Sequence, residues 1–297
     1  MRTTGIQDLL KSRSLLFCDG AWGTMFQFAG LKPGESCELW NRDQRRKVLD
    51  VALSYVDLGV DMIETNSFRG NGITLAGIGL ENVAAELNRL AAEISKEAAG
   101  DKCLVLGSVG PTGKILMMGD VTENEMYDAF AEQVQALEQG GADAICIETM
   151  SALDEAELAV KAAVENTNLE IICTFTFAKT MGGDYKTVMG VSPAQMAEKI
   201  LSAGASIIGT NCGYGMEAMI PIVKAFRDYD SKVPLLVQPN AGIPKIENGE
   251  TVFPETPEEM ASQVPGLIDA GASIIGGCCG TTPEHIAAIM NNSGRRE

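Results

Sequence analysis

Three cysteines stand where an apolar run has just ended and glycine lets the chain turn. They are Cys212, followed by Gly213, and the pair inside Gly276-Gly277-Cys278-Cys279-Gly280. Neighbouring cysteines rarely close a disulfide, because the bridge would be strained. Three thiolates with one coordination place left over is the pattern of a catalytic zinc site, since structural sites fill all four places with protein ligands. The chain has a single histidine, His285, so every metal site that needs two imidazoles is excluded. Sulfur must carry the metal, and a substrate can take the fourth place.

The remaining five of the eight cysteines read differently. Cys18, Cys103, Cys146 and Cys173 lie in apolar runs and read as small core residues, while Cys37, in a polar loop, has no assigned role. Met1 to Leu16 contains Arg2, Lys11 and Arg13 but no apolar export segment, and no apolar stretch approaches the roughly 18 residues of a membrane span. The expectation is a cytoplasmic protein with reduced thiols. A formal charge of −17, spread along the chain, argues against a nucleic-acid partner or an anionic membrane face.

Residues so far apart in sequence need a scaffold that brings them together. Eight short apolar runs recur: Leu15 to Asp19, Met62 to Asn66, Leu104 to Gly107, Ala144 to Glu148, Glu170 to Phe177, Ser206 to Asn211, Leu235 to Gln238 and Ser273 to Gly276. Amphipathic stretches alternate with them: Arg46 to Leu58, Asn82 to Ala99, Glu123 to Gly140, Leu153 to Val164, Pro193 to Ala203, Glu217 to Phe226 and Pro257 to Ala270. Steps such as Gly141-Ala142, Gly204-Ala205 and Gly271-Ala272 supply the left-handed residue that a short helix-to-strand loop wants.

A nucleotide-binding open sheet would show G-x-G-x-x-G after its first strand, but here that turn reads Asp19-Gly20-Ala21-Trp22-Gly23-Thr24. The expected fold is therefore an α/β class (β/α)8 TIM barrel, formed as a single domain over residues 1–297. Polar residues collect at the strand ends: Asp19, Thr65, Asn66, Glu148, Asn211, Cys212, Asn240 and the cysteine pair. In a barrel all of these face one rim, where the active sites of such enzymes sit.

Five segments carry a resemblance: Asp19-Gly20-Ala21-Trp22-Gly23-Thr24, Glu64-Thr65-Asn66-Ser67-Phe68, Gly107-Ser108-Val109-Gly110-Pro111-Thr112-Gly113, Pro239-Asn240-Ala241-Gly242 and Gly277-Cys278-Cys279-Gly280-Thr281-Thr282-Pro283-Glu284-His285. Together they resemble the homocysteine S-methyltransferase family, and within it most the homocysteine-binding module of cobalamin-dependent methionine synthases. The resemblance implies that Cys212, Cys278 and Cys279 ligate zinc. It also implies that Asp19 and Glu148 meet the homocysteine amino group, and that backbone amides near Ala21 and Trp22, with Thr65 and Asn66, hold the carboxylate. Two carboxylates suit an ammonium and turn amides suit a carboxylate. Gln238 departs from the acidic residue of some relatives, and Trp22 is bulkier than the usual residue of its turn.

The implied activity is zinc-dependent transfer of a methyl group to the homocysteine thiol, giving methionine. A free thiol, with a pKa near ~8.5, is mostly protonated at neutral pH, and only the thiolate attacks a methyl carbon. The likeness favours methylcobalamin on a separate, transiently docked corrinoid protein as donor. The alternatives are an onium donor such as S-methylmethionine or a betaine, for which Trp22 and Phe68 are the rim aromatics, and a non-catalytic zinc-stabilised barrel that docks a corrinoid protein. Thr281-Thr282-Pro283-Glu284 reads as a helix start, which gives His285 a capping or packing role. Met117, Met118, Met216 and Met219 are expected to fill gaps or line a contact surface.

Overall fold

A computed structural model describes residues 5–247 and 249–294; Arg2, noted above, lies outside them. Eight parallel strands form the sheet expected from the apolar runs. They are β1 (Leu16–Phe17), β2 (Met62–Glu64), β3 (Leu104–Val109), β4 (Ala144–Met150), β5 (Glu170–Phe175), β6 (Ile207–Asn211), β7 (Leu235–Gln238) and β8 (Ile274–Ile275). Hydrogen-bonded neighbours run in order from β2 to β8, and β8 pairs with β1. The seam between β1 and β2 is closed largely by side chains. Asp61 N donates to Phe17 O at 2.9 Å while Phe17 N donates to the Asp61 carboxylate, and at β2's last residue the Asp19 carboxylate accepts Glu64 N at 2.8 Å. The fold is a (β/α)8 barrel.

Two cores hold it. Inside the barrel, Leu16, Cys18, Met62, Leu104, Leu106, Ala144, Cys146, Ile172, Ile207, Leu236 and Ile274 pack together, and Ile6 of the short helix Ile6–Ser12 plugs the lower end. The larger core lies between the sheet and the outer helices. Both faces of each strand are thus buried, which is why the strands read as continuous apolar runs rather than as alternating ones.

The outer helices follow the expected stretches: Arg45–Val56, Ala84–Ala99, Glu123–Gln139, Leu153–Asn166, Pro193–Ala203, Met216–Tyr229 and a last one at Pro283–Asn292. Gly141, Gly204 and Gly271 take the left-handed conformation at the helix-to-strand turns. The expected helix from Pro257 to Ala270 is two pieces, Pro257–Ser262 and Val264–Ala270. Pro265 lacks an N–H and crowds the carbonyl four residues back, at Ala261, which Asn292 Nδ2 takes instead. Two exposed hairpins, pairing Ala178–Lys179 with Tyr185–Lys186 and Lys245–Glu247 with Glu250–Val252, were not expected from the apolar pattern. Among the described residues no helix is long and apolar enough to cross a membrane.

Candidate active site

The inner core rises in layers of period two, and its last layer is polar. Continuing each strand by two residues from an inward apolar position leads from Met62 to Glu64, Leu106 to Ser108, Cys146 to Glu148, Ile172 to Thr174 and Leu236 to Gln238. Hydrogen bonds link neighbours around this layer. Ser108 Oγ donates to Glu148 Oε1 at 2.5 Å, Asn211 Nδ2 donates to Glu148 Oε2 at 3.2 Å, Thr174 Oγ1 donates to Asn211 Oδ1 at 2.8 Å, and Gln238 Nε2 donates to Glu64 Oε1 at 2.9 Å. Above it opens a cavity of about 310 Å³. Glu64, Ser108, Glu148 and Gln238 line its depth, and Cys212, Cys278 and Cys279 its wall.

The cysteines are brought together from two turns. Cys212, just past β6, has φ of 63° and Gly213 has φ of 80°. A left-handed non-glycine residue costs roughly 1–2 kcal/mol, so the surroundings must hold it there. Cys212 N donates to Gln238 O, Cys278 N to Pro239 O at 2.8 Å, and Ala241 N to Cys279 O at 3.0 Å. The Pro239-Asn240-Ala241 segment after β7 therefore stitches both cysteine turns. Gly280 has φ of 82°, and a side chain there would also strike Phe253.

Cys279 Sγ lies 3.9 Å from both Cys212 Sγ and Cys278 Sγ, and all three sulfurs are within 4.8 Å of one another. Sulfurs bound at about 2.3 Å in a tetrahedron sit about 3.8 Å apart, a spacing that two of the three pairs match. Hydrogen bonds from Cys278 and Cys279 draw the Cys212 thiol down to about 3. The same sharing holds Cys278 well above an ordinary thiol and Cys279 at about 12.

Three buried carboxyl groups stand together, Glu64 and Glu148 lining the cavity and Asp19 outside its lining. Burial lifts Glu148 to about 7 and Asp19 to about 6, with hydrogen bonds to each carboxylate partly offsetting the rise. Burial and the charges of Glu148 and Asp19 raise Glu64 well above the usual carboxylate range. Asp19 is fully buried behind the cavity wall. Its oxygens accept from Trp22 Nε1 at 2.6 Å, from Glu64 N and from Cys18 Sγ at 3.2 Å.

The other sequence-derived site residues divide. Ala21, Trp22, Thr65 and Asn66 all line the cavity. The Ala21 amide, expected to face a ligand, is instead directed to Thr281, with 3.1 Å to its Oγ1. Asn66 Nδ2 is used to hold the Cys37 carbonyl and Asn41. Thr65 Oγ1 is 2.6 Å from Ser67 Oγ and accepts Ser108 N. Cys37 lines the cavity too, while Cys18, Cys103, Cys146 and Cys173 are buried core. His285 caps the last helix: its Nδ1 accepts Thr282 N at 3.2 Å, which leaves Nε2 to donate to Glu255 O at 3.0 Å. Glu64, Gln238 and Asn211 are the floor residues to which sequence reasoning gave no role. The period-two pattern above was the signal that could have found them.

Barrel and cradle together define a class: three cysteine thiols that could hold a metal ion, beside buried carboxyl groups at the C-terminal rim of a (β/α)8 barrel. The homocysteine S-methyltransferase family model matches residues 16–292, and the chain belongs to that family. Methionine synthase from Mycobacterium tuberculosis is 30% identical over 97% of this chain, and that from Mycobacterium leprae 29% over 95%. The chain spans about a quarter of the length of these relatives, 26% and 25%. Among solved structures, the metallated form of the homocysteine methyltransferase MmuM from Escherichia coli superposes with a TM-score of 0.80 at 23% identity, covering 97% of this chain and 99% of that one. A carboxyl transferase domain of Rhizobium etli pyruvate carboxylase gives 0.56 at 14% identity over 98% of this chain and 51% of that one, a likeness of fold alone.

Proposed function

We propose that this chain is a zinc-dependent methyltransferase that moves a methyl group from a methyl-corrinoid protein to the thiol of homocysteine, giving methionine. The observation that carries the reading is the order of the site: three sulfurs, two pairs of them 3.9 Å apart, beside a cavity lined deeper by carboxyl groups. Homocysteine has a thiol at one end and an ammonium at the other, and it spans that order.

Cys212, Cys278 and Cys279 would hold zinc, which when bound keeps the substrate sulfur as thiolate at neutral pH. Glu148 and Asp19 supply negative charge for the ammonium, Glu148 from the cavity and Asp19 from behind it. Asn211 couples the two ends of the site, since it ends β6 beside Cys212 and donates to Glu148. The turn at Ala21 and Trp22, with Thr65 and Asn66, faces the carboxylate end. Methyl transfer would form the new S–CH3 bond from the sulfur lone pair, with the electrons of the broken bond to carbon left on the donor and the thiol proton released to solvent.

Two observations support a protein-borne donor. Nearly the whole chain aligns with methionine synthases. Exposed apolar side chains also crowd the strand-to-helix loops on the cavity side: Met117 at 83% and Met118 at 71% exposure, with Met181, Val188 and Ile246 on the two hairpin-bearing loops. Scattered exposed apolar residues such as Val164 and Tyr229, near the ends of outer helices, need no explanation, but a concentration on one rim suits a docking partner. Docking is transient, with affinity on the order of micromolar, because the carrier must leave to be remethylated. A cytoplasmic location belongs to the same proposal.

A sulfonium donor such as S-methylmethionine is the second reading, favoured by the aromatic rings of Trp22 and Phe68 on the cavity wall. Single-turnover mixing of zinc-loaded protein, homocysteine and a methylated corrinoid carrier separates the two. Homocysteine-dependent loss of the methyl–cobalt absorbance supports the first. Its persistence, with S-methylmethionine consumed under the same conditions, transfers the assignment to the second. Inertness toward every donor leaves a zinc-stabilised docking barrel.

A further inference from the structure

Gln238 ends β7 on the inward face and is a buried residue of the cavity lining. Its amide nitrogen is accounted for by Glu64 Oε1 at 2.9 Å, with Cys18 Sγ at 4.0 Å. Its Oε1 is buried without a partner. Native interiors seldom leave a buried amide oxygen unpaired, and at the wall of a ligand cavity such an oxygen marks where a donor arrives with the ligand. The surroundings say what kind of donor. Asp19 from the turn after β1 and Glu148 from β4 both raise Glu64 of β2, and Arg69, the one lysine or arginine among the described residues that line the cavity, makes no ion pair with any of the three. The missing partner is cationic and brings N–H groups.

A primary ammonium carries one positive charge and three N–H donors. Glu148 and Glu64 line the cavity from different strands and offer two acceptors. We infer that Gln238 Oε1 is the third acceptor for the substrate ammonium, held in place by Glu64, so that the site selects a primary amine over an N-substituted one. Glu64 fixes the amide, because its Oε1 takes the Nε2 end and leaves Oε1 of Gln238 as the unpaired end. Glu64 is thus a positioning residue, and Gln238 a specificity residue. The inference rests on homocysteine as the methyl acceptor.

Calorimetric titration of the zinc-loaded protein with homocysteine and with N-methylhomocysteine gives the ratio of their affinities. The N-methyl compound keeps the charge but loses one N–H, so the unaltered protein should favour homocysteine by about 10- to 100-fold. Gln238→Leu removes the acceptor at similar volume and should bring that ratio below about threefold. Gln238→Glu keeps an oxygen at the position and should retain the preference. A packing defect alone would weaken both ligands and preserve the ratio. The inference is overturned by a ratio near one in the unaltered protein, by an unchanged ratio in Gln238→Leu, or by loss of the ratio in Gln238→Glu as well. An unaltered protein that binds neither compound overturns the homocysteine reading itself, so the two failures are told apart by its own titration.

Discussion

Replacing Glu148 by Gln should make the protein more stable and bind its substrate less well. The Glu148 carboxyl stands at about 7 against an ordinary 4.5, and burial is the largest cause. At about 1.36 kcal/mol per unit, a difference of roughly 2.5 units places about 3 kcal/mol against the ionised fold. Because the folded value is the higher one, the group's favourable contribution is full below about 4.5 and is lost as pH rises through about 7. Gln has no charge to bury. Its amide can also still bond Ser108 Oγ, which accepts as well as donates, and Asn211 Nδ2.

At pH 8, without homocysteine, Glu148→Gln should therefore gain up to about 3 kcal/mol over the parent, and at pH 4.5 the gain should vanish. Denaturant unfolding of both proteins at the two pH values measures this. Homocysteine titration of the same samples should show affinity lowered by roughly 10- to 100-fold, the worth of a charge-assisted hydrogen bond. A variant no more stable at pH 8 than its parent, or one that binds homocysteine unchanged, would refute the argument.

Removing the sulfur of Cys212, Cys278 or Cys279 by substitution with Ala should drop zinc content well below one per chain; full metal in any of the three removes that residue from the ligand set. Homocysteine affinity of the unaltered protein should fall at least about 10-fold from pH 8 to pH 6, because Glu148, at about 7, must be ionised to receive an ammonium and the thiol must release its proton; a flat profile would contradict this. Gly209→Ala should cost about 1–3 kcal/mol or more in urea unfolding, since its Cβ would overlap the Leu236 carbonyl across the β6–β7 pair; an unchanged midpoint would show that the sheet yields there.

The barrel was legible because each strand is buried on both faces. Its apolar run then stands out against amphipathic helices, and the glycines at 141, 204 and 271 punctuate the turns as their left-handed conformation demands. The two hairpins were not legible, because short exposed strands such as Ala178–Lys179 bury nothing that would leave an apolar trace. The break before Pro265 was written in the sequence, since a proline interior to a helical stretch removes a donor and crowds the preceding turn. At the site, the three cysteines were legible from glycine hinges at strand ends. Asp19 was read as a rim residue by its position after β1, yet its three protein partners hold it behind the wall. Glu64 and Gln238 were passed over because a lone carboxylate or amide at a strand end says little. Only the alternation of inward residues, strand by strand, puts them beside Glu148.

X-ray absorption at the zinc edge tests the central claim most directly, since it counts the sulfurs around the metal. Zinc-loaded protein without thiol should show three sulfurs at about 2.3 Å and one lighter ligand, and addition of homocysteine should replace the lighter ligand by a fourth sulfur. A coordination sphere that stays the same when homocysteine is bound, or one already filled by four protein ligands, would contradict thiol activation at this site.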